Sequence, residues 1–238
     1  MSPYRHIALP RLLWLLSALP LAPTAMAQAA PEAPALLESE KTAQPEEKAQ
    51  LQETDMEKAA RLLQEGRQMY AQDNMFEAMP LLQEAAELGL PEAQGFWGFV
   101  LQKGGTTDAA LEMYRKGADG GDAFAKLQLA GFLLRGDFLP QDVEQGFAMV
   151  NECIAKEYAP AMVVLGNIQA EGQFGIAKDE VKALELLERA AELNDINALT
   201  RLHLIYRDGL LGQAADPVKA AAYAEKSSQL QAIKGNSP

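Results

Sequence analysis

Asn74, Thr106, Asp142, Asp179 and Asp216 each stand four residues ahead of a small residue, Ala78, Ala110, Gly146, Ala183 and Ala220. The intervals between them are 32, 36, 37 and 37 residues. Asn, Thr and Asp start helices because their side-chain oxygens can accept from the free amides of the first turn, and a small residue one turn later lets a second helix approach closely. A period of about 20 to 50 residues carried by such positions is the mark of stacked helical hairpins. One hairpin cannot bury its own apolar face, so neighbours stack into a one-dimensional array. Such an array offers an extended binding surface in place of one deep active site.

The first helices of the pairs are marked by Ala93, Ala125, Ala161 and Ala198, followed four residues on by Trp97, Leu129, Leu165 and Leu202. Gly104, Gly136, Gly172 and Gly209 come seven residues later and are expected to end these helices. Gly98, Ala130 and Gly166 follow the large residue and permit close helix crossing; His203 breaks that rule. The second helices should close on Gly89 and Gly121, where Glu157 and Asn194 stand in the later units and specify the end less tightly. No stretch of this region alternates as a half-buried strand must, so helices alone are expected.

The segment AMVVLGNIQAEGQFGIAKDEVKALELLERAAEL, from Ala161 to Leu193, closely resembles a Sel1-like repeat, the tetratricopeptide-related hairpin with a longer loop between its helices. ALTRLHLIYRDGLLGQAADPVKAAAYAEKS, from Ala198 to Ser227, is similar in the same way. The resemblance rests on the alanine and the leucine-glycine of the first helix, on Gly172 with Gly175 or Gly209 with Gly212, and on the aspartate before the second helix. The two N-terminal units look more like ordinary tetratricopeptide hairpins, through Gly66, Ala78, Leu82 and Ala85 and then Gly98, Ala110 and Gly117. Asp142 marks a middle unit whose loop, GDFLPQ, has lost the second glycine. The fold implied is all-α, a right-handed α-solenoid of about five hairpins spanning residues 55–232.

The resemblance also implies where a partner would lie. In tetratricopeptide-like arrays the first helices line a concave groove, and the residue after the small position points into it with those four and five places further on. Carried over by position, this gives Arg67 and Tyr70, then Phe99, Gln102 and Lys103, then Gly131, Leu134 and Arg135. Asn167 and Glu171 follow, and finally Leu204, Arg207 and Asp208. A mixed aromatic, aliphatic and basic lining suits an extended peptide or a partner helix.

Before the repeats, Arg5, His6 and Arg11 precede an apolar run from Leu12 to Leu21, and Ala25-Met26-Ala27 supplies the small residues of a cleavage site. Residues 1–27 are expected to be a secretory signal peptide. Pro10, Pro20 and Pro23 leave too short an apolar run for a membrane span, which needs about 20 residues. No cysteine lies near the cleavage point to carry a lipid, so no stable membrane anchor is expected after cleavage. Residues 28–54, dominated by Ala, Pro, Glu and Gln, read as a disordered tether. The capping-box pattern Thr54-Asp55-Met56-Glu57 is expected to start the first helix, and residues 233–238 to form a loose tail.

Charge and residue chemistry narrow the function classes. The chain carries 21 basic and 33 acidic residues, and the signal segment removes only Arg5 and Arg11, so nucleic acid and anionic lipid are poor partners. No serine occurs between Lys41 and Lys226; beyond the signal segment His203 and Cys153 are the sole histidine and cysteine. A cysteine nucleophile would have to pair them across different units, and one histidine falls short of the three or so ligands of a catalytic zinc. Cys153 takes the slot of Ala85, Gly117 and Ala190, which reads as a small buried thiol. Asp142, Asp179 and Asp216 recur one per unit, too far apart to share a calcium ion, and read as helix caps. No phosphate-cradling loop, paired-cysteine motif or cofactor box is present.

The expectation is therefore a non-enzymatic scaffold or assembly factor of the bacterial envelope, without a cofactor, located in the periplasm or secreted. Its partner is a protein or peptide held on the concave face. The resemblance implies interaction work in envelope assembly, polysaccharide secretion or signalling. The alternative is an envelope hydrolase akin to cysteine-rich repeat β-lactamases, but those carry paired cysteines in each repeat and this chain has one cysteine.

Overall fold

The structure, a computed structural model, describes the backbone of residues 45–235 and the side chains of residues 55–233. The expected signal peptide, the tether up to residue 44 and the last three residues lie outside that range. Ten helices and no strand occupy the described residues. They are α1 (Pro45–Ala71), α2 (Met75–Glu87), α3 (Pro91–Lys103), α4 (Thr107–Asp119) and α5 (Ala123–Arg135), then α6 (Val143–Ala155), α7 (Ala159–Glu171), α8 (Glu180–Glu192), α9 (Ile196–Asp208) and α10 (Pro217–Gly235). Each packs on its chain neighbours, giving the five hairpins that the spacing predicts.

Two boundaries differ from expectation. The first helix begins at Pro45, so Thr54 lies inside it and the capping box there does not start it. Pro45 suits a first helical position, and the following PEEKAQLQET holds acidic residues at the amino end, then good helix formers with no glycine or further proline. At the other end α10 continues to Gly235, past the expected limit of 232.

All five register residues precede second helices. Asp142 accepts from the Gln145 amide at 2.9 Å, Asp179 from Lys182 at 3.0 Å, and Asp216 from Lys219 at 3.0 Å. Asn74 and Thr106 hold the cap position differently. The Asn74 amide donates to Glu77 Oε2 at 2.6 Å and the Thr106 hydroxyl donates to the Leu101 carbonyl at 2.9 Å, so neither accepts from the helix. Asp122 and Asp195 cap first helices α5 and α9 through the amides of Ala125 (2.8 Å) and Ala198 (2.9 Å), two caps outside the recurring register.

The small positions sit where the helices of each hairpin cross. Ala78, Ala110, Ala183 and Ala220 are buried. A Cβ added to Gly98 would lie 3.2 Å from the Ala110 carbonyl oxygen, and one on Gly166 would lie 3.3 Å from that of Ala183. In the middle unit the roles exchange, and a Cβ on Gly146 would lie 3.3 Å from the Ala130 oxygen. Four apolar clusters follow along the stack, one at each junction between successive hairpins.

The loops separate two kinds of unit. The first two hairpins turn within three residues, on Asp73 (φ 62°) and Gly105 (φ 82°). Gly104 itself stays at φ −78°, so the left-handed residue is one place beyond the glycine expected to end α3. The last three loops are longer and fold back through matching bonds. The amides of Asp142, Asp179 and Asp216 donate to the carbonyls of Leu133 (3.0 Å), Gln169 (2.8 Å) and Tyr206 (2.7 Å). Gly172 and Gly209 end α7 and α9 at φ 69° and 70°. Glu157 and Asn194, which end second helices, adopt φ 56° and 61°, as Gly89 and Gly121 do at 89° and 96°.

Candidate functional site

First helices α1, α3 and α5 touch in succession, and α7 touches α9. Along the first of these rows runs a chain of aromatic rings. Tyr70 of α1 meets Phe96 and Phe99 of α3 with centroids 5.5 and 6.0 Å apart, both edge to face. Phe99 meets Phe124 of α5 at 6.2 Å, and Tyr114 carries the series through Phe132 to Phe138 at 6.3 and 6.2 Å. Cations cover it: Arg67 lies 4.8 Å over the Phe96 ring, Lys103 5.5 Å over Phe99, and Arg135 5.5 Å over Phe132. Edge contacts and covering cations hold Tyr70, Phe96, Phe99 and Phe124 on a half-buried face in one arrangement, with Tyr114 and Phe132 buried behind them.

Between the helices the rings line an open cavity of about 500 Å³, a size that admits more than one side chain of a ligand. Arg67 comes from α1, Glu92, Phe96 and Phe99 from α3, and Phe124 from α5. Asp122 and Tyr158, the residues before α5 and α7, complete it. Asp122 reaches the wall because Gly95 has no side chain; a Cβ there would collide with its carboxylate oxygen. Burial pushes the Asp122 carboxyl above its ordinary range despite the bond from the Ala125 amide, and burial likewise pushes the Tyr158 phenol up to about 12.

A second cavity, of about 270 Å³, opens between α5 and α7, with Gly131, Leu134 and Arg135 facing Val164 and Asn167. Phe174 of the following loop closes one side. Asn167 Oδ1 is buried with no hydrogen-bond partner among the described residues.

The structure thus divides the residues carried over by position. Arg67 and Phe99 line the larger cavity and Tyr70 and Lys103 adjoin it, while Gly131, Leu134, Arg135 and Asn167 line the smaller. Leu134 is only 2% exposed and belongs mainly to the core. Gln102 accepts from the buried Tyr114 hydroxyl at 2.7 Å. Glu171 accepts from Gln173 at 2.6 Å, Arg207 grips Asp208 through two bonds of 2.7 Å, and Leu204 is half-buried; these three line neither cavity. Phe96, Phe124, Asp122 and Tyr158 are residues that the carry-over misses. Phe96 and Val164 lie three places before Phe99 and Asn167, and Phe124 seven before Gly131, so extending the stripe one or two turns backward finds them. The two N-cap residues have no such signal.

The residues weighed for chemistry lie elsewhere. Cys153 is 1% exposed, its thiol donating to the Ala123 carbonyl at 3.6 Å, and burial raises its pKa. His203 Nδ1 donates to the Ala220 carbonyl at 2.9 Å. Among the described residues no group of three or more His, Cys, Asp or Glu could hold a metal ion, and no helix is long and apolar enough to cross a membrane.

Comparison with known proteins agrees with this architecture. The Sel1 repeat matches residues 56–90, 91–122, 123–149, 159–195 and 198–231, at least part of every hairpin and including the two with short loops. A Sel1 repeat protein from Oxalobacter formigenes is 26% identical, over 71% of this chain and 70% of that one, with a TM-score of 0.62. A further Sel1 repeat protein, from Klebsiella pneumoniae subsp. pneumoniae, shares the fold at 18% identity, over 76% of this chain and 91% of that one, with a TM-score of 0.54. No curated protein matches. Sel1 repeat proteins generally mediate protein–protein interactions. With five such repeats stacked in one array and the solved relatives sharing its fold, the chain belongs to the Sel1 repeat family.

Proposed function

We propose that this chain is an adaptor or assembly factor of the bacterial envelope that performs no reaction of its own and seats a partner protein on the face of its first helices, the concave side of the array. The observation that carries this reading is the aromatic row with its 500 Å³ cavity, which draws on first helices of three successive hairpins. Aromatic side chains held rigidly beside arginine are the common energetic centre of protein interfaces. Support for export is the pattern of Arg5 and Arg11, the run Leu12–Leu21 and Ala25-Met26-Ala27. Support for a non-catalytic role is the separation of the one available thiol and imidazole, each bonded to a main-chain carbonyl of its own hairpin neighbourhood.

The test is affinity capture of the mature chain from envelope extract with identification of the captured protein. Phe96→Ala with Phe99→Ala should abolish recovery of that protein and leave the helical circular dichroism unchanged. Undiminished recovery would move the site off this face. Amino-terminal sequencing of the periplasmic form should begin at Gln28.

A further inference from the structure

We propose that the larger cavity receives a basic side chain, lysine or arginine, from an extended segment of the partner; this rests on the reading that a protein is seated on the first-helix face. Two independent features point to a cation. The first is the wall, where Phe96, Phe99, Phe124 and Tyr158 contribute rings around a single space. The negative faces of such rings attract ammonium and guanidinium groups.

The second is unanswered charge. Glu92 and Asp122 both line the cavity, and neither enters an ion pair among the described residues. The base on the wall, Arg67, lies over the Phe96 ring and pairs with neither acid. Among the residues that line the cavity two carboxylates stand against one guanidinium, and the nearby Lys103 is drawn over the Phe99 ring. Burial raises the Asp122 pKa, and the repulsion of Glu92 adds to it while the attraction of Arg67 opposes it. An arriving ammonium or guanidinium supplies the missing charge, whereas an acidic side chain would meet Glu92 and Asp122. The net charge of −12 over the whole chain favours approach of a basic segment from solution.

The experiment uses three fluorescein-labelled hexapeptides, GFRFKG, GFQFQG and GFEFEG, titrated with the mature protein and read by fluorescence anisotropy at low and high salt. The basic peptide should bind about tenfold more tightly than the neutral one, with the advantage shrinking as salt rises. Glu92→Gln with Asp122→Asn should bring it to the neutral level. Asparagine caps a helix as well as aspartate does, so this variant keeps the α5 start and the fold. Tighter binding of the acidic peptide, no binding of the basic one, or binding untouched by the two substitutions would overturn the proposal. Partner capture separates the two readings. Loss with Phe96→Ala and Phe99→Ala but not with the carboxylate pair removes the basic side chain and keeps the seat, while retention by both variants removes the seat itself.

Discussion

His203 Nδ1 lies 2.9 Å from the main-chain oxygen of Ala220, at the crossing where the second, third and fourth hairpins set a glycine against the opposite backbone. The exception to the small-residue rule thus keeps the rule's geometry by another means, a hydrogen bond in place of bare contact. His203→Ala should cost about 1 kcal/mol, the worth of such a bond. Urea denaturation followed by circular dichroism checks it, and partner capture should be unaffected. A loss of capture would place His203 in the binding face.

Overpacking the same crossing in an earlier hairpin should cost more. A Cβ on Gly166 already meets the Ala183 oxygen and Leu187 Cγ at 3.3 Å, so Gly166→Leu should destabilise by about 1 to 3 kcal/mol. A neutral result in thermal denaturation would mean that α7 and α8 do not cross there.

Glu157 is a non-glycine residue at φ 56° in the place that Gly89 and Gly121 fill. A left-handed conformation costs an L residue about 1 to 2 kcal/mol, and the ion pair to Arg189 at 4.0 Å is exposed and worth little. Glu157→Gly should therefore raise the denaturation midpoint, and Asn194→Gly should do so by less because asparagine tolerates this conformation better.

Asp122 gives a prediction with pH. Burial raises its pKa in the folded chain above the unfolded value, so the folded state binds the proton more tightly. The stability contributed by this group is complete below the ordinary carboxylate range and is lost as pH rises through the raised folded value. Asp122→Asn keeps the cap and removes the charge, and should melt higher than the parent at neutral pH. The difference should vanish in acid. A lower melt at neutral pH would show that the carboxylate is already compensated.

The hairpins were legible because helix caps and small crossing residues are local requirements, each visible as one residue type at a fixed place. The helix start at Pro45 was missed because composition alone makes PEEKAQLQET look like linker, although nothing in it breaks a helix. Asn74 and Thr106 were found at cap positions, yet their side chains bond elsewhere, since residue type fixes the place and not the partner. The site was legible on one helical stripe only. Phe99 and Arg67 fell on it, whereas Asp122 and Tyr158 arrive from helix starts that the stacking of separate hairpins brings to the cavity, a relation no local spacing contains.

The central claim, that a partner protein sits on the first-helix face, is tested most directly by photo-crosslinking in growing cells. A p-benzoylphenylalanine would replace Phe96 on the cavity wall or Phe76, which is 92% exposed on second helix α2. A discrete crosslinked product carrying another protein from position 96, and none from position 76, is the expected result. A product from position 76 with none from position 96 would contradict it.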